Sequence, residues 1–245
     1  MPVKLQPKCH ICGKDKIYFD NEMEVVKPCA ICGAEFEADA TCENGHYVCH
    51  MCRQKNTREA IITYCLNSEH KQPRALVLEL MKLPETAMHG PEHHLLLTAA
   101  LLTCYCNEKG CPSDLPDFLT AANERSIGVP GGACGFWGVC GAAIGSGIYM
   151  SIITKASPFA ETEWKVTGQL AALCANAISC EGGPCCCKRD TFLSLKEAAA
   201  YSNTVLDTHF TVLDDMQCEF YPNNKECKRL DCPFFPARTQ KLHRL

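Results

Sequence analysis

Cysteine constrains this chain more than any other residue: 21 of its 245 residues are cysteine, and many stand in Cys-x-x-Cys pairs. In a small secreted protein that density would mean a disulfide framework. Here the chain is longer, the cysteine count is odd, and the Met1-to-Pro7 start carries no apolar signal segment. Paired spacings suit metal ligands and reduced thiols, so metal and thiol chemistry in the cytoplasm is expected. So many thiols are an oxidative liability in air, which suits an anaerobic host.

Residues 1–55 lack helical periodicity and hold four ligand pairs in order: Cys9/Cys12, Cys29/Cys32, Cys42/His46 and Cys49/Cys52. Each gap lets both ligands take corners of one tetrahedron, and eight ligands make two closed sites, read as structural zinc. Gly13 and Gly33 follow their pairs as zinc-knuckle turns would require. So short a segment cannot bury a large core, and metal would drive its folding. Sequential pairing would join Cys9/Cys12 to Cys29/Cys32. Interleaved pairing would join Cys9/Cys12 to Cys42/His46, and Cys29/Cys32 to Cys49/Cys52. The segment "CENGHYVCHMC" resembles the central part of cross-brace zinc modules such as RING fingers, which favours interleaving. That likeness covers too little of the chain to imply ubiquitin transfer. A net charge of −4 argues against a protein built to grip nucleic acid phosphates.

Hydrophobic content of 47% and charged content of 21% are ordinary for a chain that packs a core. From Asn56 onward the pattern is helical. Asn56 and Glu59 form a capping box ahead of "AIITYCL". Further helices follow in "PRALVLELMKL", "HGPEHHLLLTAALLTCYC", "LPDFLTAANERS", the uncharged run from Val129 to Thr154, "FAETEWKVTGQLAALCANAIS" and "DTFLSLKEAAAYS", the last capped by Asp190. The expected fold is mainly α. A zinc-binding module spans 1–55, a helical domain 56–210, and a Cys-rich cap 211–245. Cys218, Cys227 and Cys232 in that cap could bind a metal with a ligand from elsewhere, or be three unrelated thiols.

Three motifs exceed the needs of packing. "MHGPEHH" places His89 before a helix and His93 in its first turn, suited to ligation or proton transfer. "VPGGACGFWGVCGAAIGSGIYMSIIT" is long enough for a membrane span, but its glycines and lack of flanking basic residues argue against one. No strand precedes it and no acidic residue follows at the right distance, so it is not a dinucleotide loop. It is expected to be a buried helix carrying Cys134 and Cys140, its missing side chains admitting a helix or cofactor. "EGGPCCCKRD" sets Cys185, Cys186 and Cys187 beside Lys188 and Arg189, cations that would favour thiolate.

With HGPEHH at 89–94, GGACGFWGVCGAA at 131–143 and GGPCCCKRD at 182–190, the whole chain resembles an uncharacterised Cys-rich family of anaerobic prokaryotes such as methanogens and clostridia. The resemblance supplies no activity. It implies a methyl- or sulfur-handling pathway and a methyltransferase-like partner. Relatives often differ at Cys185, which points to Cys186 and Cys187 as the essential pair.

The leading expectation is a metal-binding redox or sulfur-transfer protein acting on a small-molecule or sulfur-carrying substrate. It would work through an iron–sulfur cluster or free thiols at Cys134, Cys140, Cys185, Cys186 and Cys187, with His89 and His93 moving protons or ligating. A zinc-stapled adaptor or metal sensor that docks a partner is the non-catalytic alternative, and a metal chaperone or store a third.

Overall fold

A computed structural model describes residues 8–19, 25–212 and 215–236. The Met1-to-Pro7 start lies outside them.

The amino-terminal part holds four three-residue strands: β1 (Lys16–Tyr18), β2 (Val26–Pro28), β3 (Glu35–Glu37) and β4 (Ala40–Cys42). β1 pairs antiparallel with β4, Lys16 opposite Cys42, and β2 pairs antiparallel with β3, Val26 opposite Glu37. Two two-stranded ribbons are marginal alone in water. Their buried cluster is Cys29, Ala38, Tyr47, Val48 and Cys49, in which cysteine does the work of core residues. Gly13, Gly33 and Gly45 sit at φ values of 70°, 74° and 77° beside the ligand pairs, a conformation in which any side chain is strained.

The remainder is helical: α1 (His50–Leu66), α2 (Pro73–Lys82), α3 (Glu92–Lys109), α4 (Leu115–Ile127), α5 (Ala133–Phe136), α6 (Gly141–Thr154), α7 (Thr162–Glu181) and α8 (Cys187–Val205). No helix among the described residues is long and apolar enough to cross a membrane.

Three helix starts differ from the sequence expectation. α1 begins at His50, so Asn56 and Glu59 lie inside it and cap nothing. Extended Cys49 starts the helix instead, its carbonyl accepting the Arg53 N–H at 2.9 Å. The Val129–Thr154 run is two helices. Left-handed Gly138, at φ 75°, ends the single turn of α5, and Cys140 in extended backbone begins α6. α8 begins at Cys187 with Cys186 as its cap, which moves Asp190 into the first turn and frees its carboxylate.

α3 is the hub. Every residue from Glu92 to Cys104 is buried, and the helix packs on α1, α2, α4, α6 and α8. An element enclosed on all sides has no polar stripe, which is why its sequence reads as a continuous apolar run. α6 crosses α3 at Gly145, where an added Cβ would stand 2.6 Å from the His94 carbonyl oxygen and 2.8 Å from Thr98 Oγ1. That hydroxyl lies 2.8 Å from the Gly145 carbonyl. On the opposite face, Gly147 brings α6 against Ala171 of α7. The glycines therefore serve helix–helix approach.

The tail from Met216 to Phe235 has no regular element beyond short 3₁₀ turns at Tyr221–Asn223 and Arg229–Asp231. It nevertheless completes the core: Phe220 is fully buried, and Phe234 meets Phe192 of α8 edge-on at 5.4 Å between centroids. Burying two such rings contributes roughly 1.5–3 kcal/mol each.

Candidate metal and thiol sites

Pairing of β1 with β4 carries Cys42 and His46 to Cys9 and Cys12, and a parallel bridge between Cys29 and Tyr47 brings Cys49 and Cys52 to Cys29 and Cys32. The ligand atoms of Cys9, Cys12, Cys42 and His46 all lie within 4.8 Å of one another, as do those of Cys29, Cys32, Cys49 and Cys52. This is the interleaved arrangement. The shorter separations are 3.5 Å from Cys42 Sγ to His46 Nδ1, 3.7 Å from Cys12 to Cys42, and 3.9 Å from Cys32 to Cys49. Ligands at 2.0–2.3 Å around one tetrahedral ion stand roughly 3.5–3.8 Å apart, so either group could hold a single metal ion.

Backbone amides aim at these sulfurs. The Ile11 N–H donates to Cys9 Sγ at 3.4 Å, Ile31 to Cys29 at 3.5 Å, and Cys49 to Cys29 at 3.3 Å. Burial alone would raise the Cys29 and Cys42 thiols, but such amides outweigh it and hold both below the ordinary thiol value. Both are thereby prepared as thiolate ligands.

A second constellation lies where the start of α3, the α5–α6 segment and the start of α8 converge. A cavity of about 360 Å³ is lined by His89, His93, Cys134, Cys140, Cys185 and Cys187 among others. Cys134 Sγ stands 3.4 Å from Cys185 Sγ, and Asp190 Oδ2 is 3.6 Å from Cys140 and 3.7 Å from Cys185. Gly141 leaves space for the His94 ring, since a Cβ there would stand 2.1 Å from its Nε2.

Cys186 is not part of this group. Its backbone is extended, at φ −138° and ψ 101°, so its side chain points opposite to its neighbours. Cys185 and Cys187 face the cavity, whereas Cys186 faces the tail, where Asn224 Nδ2 donates to its sulfur at 3.5 Å. Asn224 Oδ1 lies 3.1 Å from His89 Nε2 and so links the two sides.

Charge around the cavity runs against the expectation that Lys188 and Arg189 activate these thiols. The fully buried Lys188 amine reaches the Met81 carbonyl at 3.3 Å and lies 4.9 Å from the Phe220 ring centroid. Burial draws it down to about 8. Arg189 binds Asp190 at 3.0 Å and the Pro184 carbonyl at 3.1 Å. Neither cation hydrogen-bonds a cavity thiol. Burial, then the Cys185 contact, raises Cys134, and burial, then the Asp190 charge, raises Cys140. The Cys187 contact, then burial, raises Cys185. Burial raises Asp190 as well, in spite of Arg189.

Burial, then the Lys188 charge, lowers His93 far below its ordinary value, and burial takes His94 to about 4, so both rings are neutral. His93 is 1% exposed and its Nδ1 meets the Gly90 carbonyl at 3.1 Å, yet its Nε2 has no partner. His94 Nδ1 and Glu92 Oε1 are also buried without one. Orphaned polar atoms of this kind cost about 1–3 kcal/mol each unless something binds them.

Of the residues the sequence singled out, Cys134, Cys140, Cys185, Cys187, His89 and His93 line this one cavity, and Cys186, expected to pair with Cys187, lies apart. Sequence reasoning missed Asp190, whose residue type suits a cap, and Asn224, an ordinary residue in a loop whose position no local pattern reveals.

A family of unknown function, DUF5714, matches residues 61–235. No curated protein and no solved structure matches the chain.

Proposed function

We propose, for a chain that belongs to this family of unknown function, that it is a metal-dependent redox or sulfur-transfer protein whose working centre is the Cys134/Cys140/Cys185/Cys187 cavity. The observation that carries this reading is the convergence of four cysteines, Asp190 and His93 on one cavity. The Cys134, Cys140 and Cys185 thiols, all raised above the ordinary thiol value, and the Asp190 carboxylate, raised by burial, meet beside a cavity that His93, with its unpartnered Nε2, also lines. A soft cation or an iron–sulfur cluster would take the thiol protons' place and use these groups as ligands. The cavity has room beside the sulfurs for a small or sulfur-carrying substrate, unlike the closed amino-terminal groups. Those groups we read as structural zinc sites.

The chain's own residues have distinct tasks. Asp190 accepts from Cys140 and Cys185 and is held by Arg189, so it fixes two sulfurs in place and receives a proton when they ligate. His93 lines the cavity, is fixed through Nδ1 and keeps Nε2 free of any hydrogen-bond partner.

A thiol-only reading has its own support in the 3.4 Å Cys134–Cys185 separation. A sulfane sulfur accepted on Cys134 would leave as hydrosulfide when the Cys185 thiolate attacks Cys134 Sγ, the pair becoming a disulfide as it gives up two electrons. The rings of Phe136 and Trp137, 89% and 63% exposed between Cys134 and Cys140, support docking of a partner protein beside the cavity. A methyltransferase-like partner follows from the family resemblance. Anaerobic reconstitution with ferrous iron and sulfide tests the metal reading. Visible absorption that dithionite bleaches, and that Cys134→Ser and Cys140→Ser lose, is expected. A colourless wild type that forms the 134–185 disulfide would replace it with the thiol reading.

A further inference from the structure

Three tail cysteines and one from the Cys185–Cys187 run take no part in that centre. Cys186, Cys218, Cys227 and Cys232 line a separate cavity on the other side of the start of α8, walled by Phe192, Phe234 and Phe235. They come from three places in the chain: the cap of α8, the residue two before the buried Phe220, and the loop around the Arg229–Asp231 turn. The tail is fastened where they meet: the Cys218 N–H donates to the Phe234 carbonyl at 2.7 Å, and the Cys232 N–H to the Arg229 carbonyl at 2.9 Å.

Their backbone geometry repeats that of the amino-terminal ligand groups. There, Cys9 and Cys29 each accept the amide of the second residue following. In the tail, Cys218 accepts the Phe220 N–H at 3.4 Å and Cys227 the Arg229 N–H at 3.4 Å. Cys186 accepts from Asn224 Nδ2 at 3.5 Å. Cys186, Cys218 and Cys227 thus each accept an N–H, as the amino-terminal ligand sulfurs Cys9 and Cys29 do. Arg229 adopts φ 52° to make its turn, a left-handed conformation that a non-glycine residue keeps only when its surroundings impose it. By contrast, Cys65, Cys104 and Cys174 lie inside helices, buried as small apolar residues.

We propose that Cys186, Cys218, Cys227 and Cys232 are a further metal site, a four-thiolate centre for a thiophilic metal. The alternation of the 185–187 run follows from it: Cys185 and Cys187 serve one centre and Cys186 the other, eight residues from within the family match acting as two sets of four. Among the described residues no three of the tail-side sulfurs lie within 4.8 Å of one another, wider than around one ion, as when each thiolate holds a different iron of a cluster. The void between them is about 20 Å³, so a single ion would draw the sulfurs inward and a cluster would spread the tail loop. Four-thiolate ligation is common to both occupants, and stoichiometry separates them.

The test uses the full chain purified without oxygen, as wild type and with Cys218→Ser, Cys227→Ser or Cys232→Ser. Metal and acid-labile sulfide per chain are measured beside helical circular dichroism. Each substitution is expected to remove one centre's metal with helicity unchanged, whereas Cys134→Ser leaves this centre in place. Loss of zinc alone identifies one ion, and loss of iron with sulfide identifies a cluster. Unchanged metal in all three variants overturns the proposal. If a variant does not fold, wild type decides by alkylation mapped by mass. Cys186, Cys218, Cys227 and Cys232 should react roughly ten-fold slower before metal is stripped than after, with exposed Cys180 as the unchanged reference. Equal rates before and after stripping overturn it.

Discussion

Replacing Gly145 by alanine tests the packing that sets the α3 side of the cavity. In an open helical position this exchange would stabilise by up to about 1 kcal/mol, because alanine is the better helix former. At Gly145 the new Cβ would stand 2.6 Å from the His94 carbonyl oxygen and 2.8 Å from Thr98 Oγ1. The first of these is backbone of the enclosed hub helix and has nowhere to move. Overpacking of this kind costs about 1–3 kcal/mol, more where rigid backbone is met, so the net change is a loss of about 1–2 kcal/mol. For a chain of this length that lowers Tm by roughly 2–8 °C. Gly168 of α7 is the control, since it is exposed and a Cβ added there would meet nothing within 4 Å. Gly168→Ala should gain about 0.5–1 kcal/mol, a rise of roughly 1–4 °C. Thermal scans by far-UV circular dichroism, at one scan rate under anaerobic reducing conditions, read both. If Gly145→Ala melts at or above wild type, the glycines of α6 are not there for close approach to α3, and the reasoning fails.

Four further outcomes follow from the same structure. Chelation of the amino-terminal metals should unfold residues 8–19 and 25–49 while α3 keeps its protection in hydrogen exchange; retained protection in both would show that the small Cys29/Tyr47 cluster suffices without metal. In metal-free protein exposed to air, mass mapping should find the Cys134–Cys185 disulfide, and a different partner for either would contradict their 3.4 Å contact. Phe220→Ala should cost about 3–5 kcal/mol, read by denaturant midpoint, because it empties a fully buried ring site; a loss under about 1 kcal/mol would place the tail outside the core. Burial raises Cys65 to about 12 and Cys174 to about 11. The unfolded chain then loses these protons first as pH passes about 9, so stability should fall above that pH by up to about 1.4 kcal/mol per pH unit for each thiol. A Cys65→Ala variant with the same alkaline slope as wild type would refute that assignment.

Much of this was legible because short-range chemistry dictated it. Cys-x-x-Cys spacing announces tetrahedral ligation whatever surrounds it, and the ligand atoms do gather into two groups of four. The apolar run of α3 and the glycines of α6 announced burial. What escaped depended on backbone direction at single residues. The Asn56/Glu59 pattern was a sound cap in isolation, yet the ligand-bearing turn at Cys49 had already begun the helix. Asp190 had the right residue type for a cap, but Cys186 took that place. This one shift turned the Asp190 carboxylate toward Cys140 and Cys185, and split three adjacent cysteines between two sides of α8. No periodicity in the sequence encodes which side of an extended residue faces which cavity.

The central claim is that Cys134, Cys140, Cys185 and Cys187 hold a metal centre. Native mass spectrometry of the anaerobically purified chain, as wild type and as the Cys134→Ser/Cys185→Ser double variant, tests it most directly. The account predicts bound mass in wild type beyond that of the amino-terminal ions, part of which the double variant loses while keeping the rest. Identical bound mass in the two proteins would contradict it.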